Sequence, residues 1–206
     1  MNVSELKEKI SQSDLDQKRE IALELEKIGS DEAIDVLFEL LRDSNRGVVD
    51  RALDCLIRLG NKKVFDSFIN ITNQKQHESP LFTLAYDGLC QISHKRIADI
   101  IEISQKSDGY TKKICIDIVS NNVNTKGKEA LAISKKLIRD NDPNVRMGTV
   151  ELLGKKVGLD ANEILTTMYD MEQDEWVRFS IVESLLSLNG PDFKIGEKTL
   201  KELSGE

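Results

Sequence analysis

Three cysteines, three prolines and two histidines are all of those types among 206 residues, and each scarcity removes a class of protein. Cys55, Cys90 and Cys115 are odd in number and show no CxxC spacing, which argues against a disulfide framework or a zinc ribbon and fits a reducing compartment. No run approaches the roughly 18 consecutive apolar residues of a membrane span. Met1 to Ile10 lacks the basic-then-apolar layout of a signal peptide, so the cytoplasm is the expected compartment and no membrane is expected as partner. With only 5% aromatic residues a β-sandwich is disfavoured, and 32% charged residues indicate a strongly hydrated exterior. No glycine-rich phosphate loop, Ser-His-Asp arrangement or metal-spaced cluster occurs, so neither a metal nor a cofactor is expected.

What is present is helical periodicity. In "VVDRALDCLIRLG", Val48, Ala52, Cys55, Leu56 and Leu59 recur at three- and four-residue steps, with Asp50, Asp54 and Arg58 between them. The same pattern fits "SPLFTLAYDGLCQIS", "YTKKICIDIVSNNV", "VRMGTVELLGKKVG" and "WVRFSIVESLLSLNG". Each is preceded by a shorter apolar-periodic segment, so the helices come in pairs. Aligning the second helices places Asp54, Asp87, Asp117, Glu151 and Glu183 at one slot, at intervals of 33, 30, 34 and 32 residues. A period of that length indicates an array of helical hairpins, each burying its apolar face only against its neighbours. The expectation is a single all-α domain over 1–206, a right-handed α-α superhelix of about five hairpins, with residues 1–29 and 191–206 as terminal helical caps.

The turn inside a hairpin has its own signature. Asp142 is placed to cap a second helix, Pro143 fits a first helical position where no amide hydrogen is needed, and Val145 opens the apolar stripe. Ser79-Pro80 repeats the device, and Asp174 to Arg178 repeats the acid-x-x-Val-Arg ending. Residues 43–49 keep the acid and the valine but have no arginine after Val48.

Asp142-x-x-Val-Arg146 and Asp174-x-x-Val-Arg178, set before the second helices of hairpins about 32 residues long, resemble HEAT repeats, most of all the short variety also found in phycobilin lyases. The resemblance covers most of 14–190 and is strong over 31–60, 126–158 and 160–190. It implies a solenoid whose second helices line the concave face, and an inter-repeat ladder built from Arg146 and Arg178 with Asp140, Asp142 and Asp174. It also places the cysteines at slots that expect alanine or another small residue, where a free thiol packs as a small hydrophobe.

Enzymes of related architecture fit less well. Deoxyhypusine hydroxylases hold two irons with several His-Glu pairs, whereas His77-Glu78 is the single such pair here and His94 has no glutamate after it. A HEAT-like nucleic-acid-binding protein tracks phosphates with a basic groove, and a net charge of −7 with pI near 5.1 opposes that. The basic doublets Lys112-Lys113, Lys135-Lys136 and Lys155-Lys156 read as solvated helix faces. A phycobilin-lyase-like subunit or chaperone of an enzyme assembly is the alternative, although no residue marks a bilin pocket. The expected function is that of a non-catalytic protein-interaction scaffold or adaptor. Its partner is another protein with a basic helix or tail, drawn to the acidic column Asp54, Asp87, Asp117, Glu151 and Glu183 and anchored by Trp176 and Phe179.

Overall fold

Helices begin where the sequence supplies an acceptor for the first free amides. Asp14 and Gln17 form a reciprocal capping box, Ser30, Asn61 and Ser79 each accept from the amide three residues on, and Asp108 does the same for Thr111. The computed structural model describes residues 1–74 and 79–205, so the His77-Glu78 pair lies outside the described residues. Thirteen α-helices occur among the described residues, and the fold is all-α with one two-stranded sheet.

The chain divides into two compact units, Met1–Lys95 and Arg96–Glu206. The first contains α1 (Val3–Ile10), α2 (Leu15–Ile28), α3 (Asp31–Leu40), α4 (Arg46–Leu59), α5 (Lys62–Thr72) and α6 (Pro80–Ile92). Here α2, α4 and α6 pack successively as one layer, with α1, α3 and α5 as the other. The stretch 1–29, expected as a terminal cap, is thus itself a hairpin whose second helix stands in line with α4. Leu25, Ile34, Leu37, Leu56, Phe65 and Phe68 are fully buried between the layers. The left-handed conformation that ends α4 requires Gly60, at φ 47°, whose amide donates to the Leu56 carbonyl.

The second unit contains α7 (Ile97–Lys106), α8 (Gly109–Asn121), α9 (Gly127–Leu137), α10 (Pro143–Lys156), α11 (Asn162–Met171) and α12 (Glu175–Asn189). Its second helices α8, α10 and α12 pack in sequence, and α7 and α9 lie together on the opposite layer. Val150, Leu153, Leu165, Val177, Ile181 and Leu185 fill the space between the last two hairpins. After α12 the chain makes an antiparallel hairpin, β1 (Lys194–Ile195) with β2 (Lys198–Thr199), in which Lys194 faces Thr199. It then forms the short α13 (Leu200–Ser204), and Ile195 and Leu200 close that core from the end. The expected C-terminal cap is therefore part helix and part β-hairpin.

Close packing in the first unit depends on one missing side chain. Phe68 stacks edge-on against Phe38, with centroids 5.1 Å apart, and a Cβ at Gly88 would lie 2.6 Å from the Phe68 ring. Alanine in a helix interior gains about 1 kcal/mol over glycine. Overpacking a filled core costs about 1–3 kcal/mol. The fully buried Phe68 has little room to yield, so the clash dominates. Gly88→Ala is expected to lower the urea midpoint, and an unchanged or raised midpoint would show that the ring can shift at little cost.

Candidate functional site

A carboxylate two residues before the cap fixes how neighbouring hairpins meet. Asp140 Oδ1 accepts from the Asp142 amide at 3.0 Å, while its Oδ2 accepts from Lys112 Nζ at 2.6 Å. Asp43 does the same for the Asn45 amide, at 2.8 Å, and for Lys18 Nζ, at 2.7 Å. Glu172 accepts the Asp174 amide at 3.0 Å and takes Arg146 side-on, with both guanidinium contacts at 2.8 Å. In all three cases the cation is the fourth residue of the preceding second helix. One carboxylate therefore ties a cap to the helix of the previous repeat.

The motif residues divide their work accordingly. Asp142 and Asp174 cap α10 and α12, and Arg146 Nη1 donates to the Asp140 and Asn141 carbonyls rather than to an aspartate side chain. Arg178 lies 4.3 Å over the Tyr169 ring and makes no ion pair among the described residues. The sequence reading missed Glu172 and Lys18, and took Lys112 for a solvated residue. The available signal was the shared offset of Asp43-x-Asn45, Asp140-x-Asp142 and Glu172-x-Asp174. Arg146 beside Glu172 holds that carboxyl below the ordinary glutamate range.

That lock sets α12 against α10, and their seam opens into a groove of about 640 Å³. Its floor is small, with Gly154 facing Ser184, and its rims carry Met147 and Glu151 from α10 and Trp176, Phe179 and Glu183 from α12. Trp176 is 76% exposed and Phe179 50%, one helical turn apart. A smaller hollow of about 170 Å³ by Pro143 and Asn144 adjoins the other side of Trp176, so the indole stands between two depressions. Neither Glu151 nor Glu183 pairs with a cation among the described residues. Lys155, on the same rim as Glu151, donates to Asn121 Oδ1 at 3.2 Å.

Four of the seven expected partner-binding residues thus meet in one groove: Glu151, Trp176, Phe179 and Glu183. Asp117 holds the equivalent ninth position of α8 but is half-buried. Burial pushes its carboxyl upward, Lys113 opposes this, and Glu151 adds to it. Asp54 and Asp87 are exposed on α4 and α6 of the first unit. Among the described residues no His, Cys, Asp and Glu cluster is arranged to hold a metal ion, and no helix is long and apolar enough to cross a membrane.

The cysteines offer no activated nucleophile in the cores. Burial pushes the Cys55 thiol up to about 12, with Glu26 adding to the rise, and burial alone pushes Cys115 up to about 12. A thiol reagent at neutral pH is expected to modify at most the half-buried Cys90 in the folded protein, and all three cysteines after denaturation. Rapid loss of more than one thiol under native conditions would show that these cores open.

The Arg146–Glu172 pair is testable through its pH dependence. Its side chains are 17% and 6% exposed, so removing either leaves the other buried and unpaired at about 1–3 kcal/mol. Because the folded carboxyl titrates below its unfolded value, the stabilisation is complete above about pH 4.3 and is lost as pH falls through the lowered value. Double-mutant cycles with Arg146→Ala and Glu172→Gln should show coupling at pH 7 that fades in acid. Coupling near zero at pH 7 would reduce the pair to a surface contact.

Comparison with known proteins accords with this repeat geometry. The family model described as HEAT repeats matches residues 3–79. None of the curated proteins matches the chain. A solved structure, the crystal structure of an engineered protein from the Northeast Structural Genomics Consortium, aligns over 91% of this chain and 97% of that one, at 16% identity and a TM-score of 0.39. The hairpins with the clearest arginine motif, at 126–190, lie beyond the matched stretch, but Asp140 and Glu172 repeat there the turn that Asp43 makes within it. Residues 3–79 are thus similar to HEAT repeats, and the turn they contain recurs in the hairpins that follow.

Proposed function

We propose that this protein is a non-catalytic interaction scaffold that takes the basic amphipathic helix or tail of a protein partner in the groove between α10 and α12. The observation that carries the reading is the exposure of Trp176 and Phe179 on the same helical turn, beside two unpaired carboxylates. An aromatic that becomes buried on binding can act as a hot spot worth about 2 kcal/mol or more. A rim ion pair is worth about 0–1 kcal/mol. The aromatics therefore supply the affinity, while Glu151 and Glu183 select a cationic partner and speed its encounter at low salt.

Tryptophan emission reads this site directly, because Trp176 is the only tryptophan. The free protein should emit at long wavelength and be open to iodide or acrylamide. A fluorescein-labelled amphipathic helix of leucine and lysine should shift the emission to the blue and protect it. Trp176→Ala should weaken that peptide by about 30-fold. Glu151→Lys/Glu183→Lys should slow association and remove its salt dependence. A quencher-protected indole in the free protein, or undiminished binding by both variants, would overturn the assignment.

A further inference from the structure

The same two hairpins carry a second groove on their other layer. There α11 packs on α12 and on the 3-10 turn Gly158–Ala161, and a trough separates it from α9. Two hollows of about 280 and 390 Å³ share Lys135, Ile138, Arg139 and Ile164, and so form one continuous channel. Its lining is largely aliphatic: Leu153 is fully buried on the floor, and Met171 is 53% exposed at one end. Lys135 and Arg139 stand on one rim, and Glu163 lines the 390 Å³ hollow with them, giving the channel a net charge of +1. None of the three makes an ion pair among the described residues.

A second observation marks the channel as incomplete. Ser134 lines it, is 1% exposed, and its hydroxyl has no hydrogen-bond partner. Thr149 on α10 instead donates to the Val145 carbonyl at 2.8 Å, and Ser104 on α7 to the Ile101 carbonyl at 2.9 Å; the other buried hydroxyl without a partner, Thr125, lies in the turn before α9 and does not line the channel. An unsatisfied buried hydroxyl beside two unpaired cations and aliphatic walls is the complement of a segment that brings both oxygen and hydrocarbon. Exposed methionine suits such a surface, because its flexible side chain adapts to different apolar contacts.

We propose that this channel docks a protein partner through an amphipathic segment that sets a carboxylate between aliphatic side chains, with Lys135 and Arg139 receiving the carboxylate. Charge complementarity selects an acidic segment here, the opposite of the partner chemistry at the α10–α12 groove. An anionic membrane is the weaker match, since lipid recognition by charge takes clusters of about four to eight basic residues. The channel offers two.

The test measures anisotropy of a fluorescein-labelled, hydrocarbon-stapled helix of leucine and glutamate, with a leucine and lysine counterpart as control, against the full chain. Measured on Trp176→Ala, in which the aromatic groove is weakened, the glutamate helix should bind at least about tenfold more tightly than the lysine helix. Lys135→Glu/Arg139→Glu should abolish that binding while the far-ultraviolet spectrum stays that of the parent. Trp176→Ala should leave it unchanged, which separates this site from the groove proposed above. The inference fails if the glutamate helix does not bind, if the double variant binds it equally, or if Trp176→Ala removes it. It is also overturned if the channel instead holds phosphatidylserine vesicles, or if a self-association seen in sedimentation velocity is lost in the double variant, which would make the occupant a lipid surface or a second copy.

Discussion

A carboxylate in a turn can satisfy the free amide of a helix cap with one oxygen and a cation from the preceding helix with the other. Asp43 and Asp140 do this, Glu172 does the same work with Oε1 shared between the Asp174 amide and Arg146 Nη2 and Oε2 on Arg146 Nε, and the arrangement solves two problems at once. A helix N-terminus leaves unpaired amides, which favour a negative group, and a solenoid needs its successive hairpins held at a fixed separation. Because the cation is always the fourth residue of the previous second helix, the contact fixes both the distance and the register between neighbouring second helices. Arg146 does this most firmly, since its planar guanidinium takes Glu172 side-on while a third nitrogen donates to two carbonyls of its own turn. Lysine at the equivalent positions supplies a single point contact.

The aromatic groove follows from that register. Trp176 comes four residues after Glu172, at the second position of α12, so the contact that docks α12 also decides where the indole projects. Arg178 occupies the cation position of α12, and its guanidinium lies over Tyr169 instead of on a carboxylate. The β-hairpin and α13 take the place of a next repeat by covering the apolar end with Ile195 and Leu200.

Much of the fold was legible because apolar periodicity and cap residues are local signals. The second helices begin where Asp142, Asp174 and Ser79 were read as caps, and the slot shared by Asp117, Glu151 and Glu183 is the ninth residue of α8, α10 and α12 alike. What escaped the reading was set by contacts between residues distant in the chain. Glu172 resembles any surface glutamate until Arg146, 26 residues earlier, is brought to it. Gly88 resembles a weak point in a helix until Phe68 fills the space above it. The burial of Asp117 depends on its neighbours rather than on its position, so the acidic column, uniform in sequence, is uneven in space. The terminal β-hairpin is two residues per strand, too short for any periodicity to register.

Charge acts on two length scales in this protein, and they favour different partners. The net charge of −7 repels an acidic partner at long range and attracts a basic one, which accords with unpaired Glu151 and Glu183 beside exposed aromatics. At physiological salt that field is screened beyond about 8 Å, so at contact distance the local rim decides. On the α9–α11 side the local rim is Lys135 and Arg139, and an acidic segment reaching it meets attraction despite the overall charge. Association at that channel should therefore be slower than at the aromatic groove at low salt, because the long-range field opposes it. Raising the salt relieves that opposition while weakening the final contact. If both proposed sites hold, adjacent faces of one pair of hairpins take partners of opposite charge, the aromatic groove through steered encounter and the aliphatic channel through contact alone.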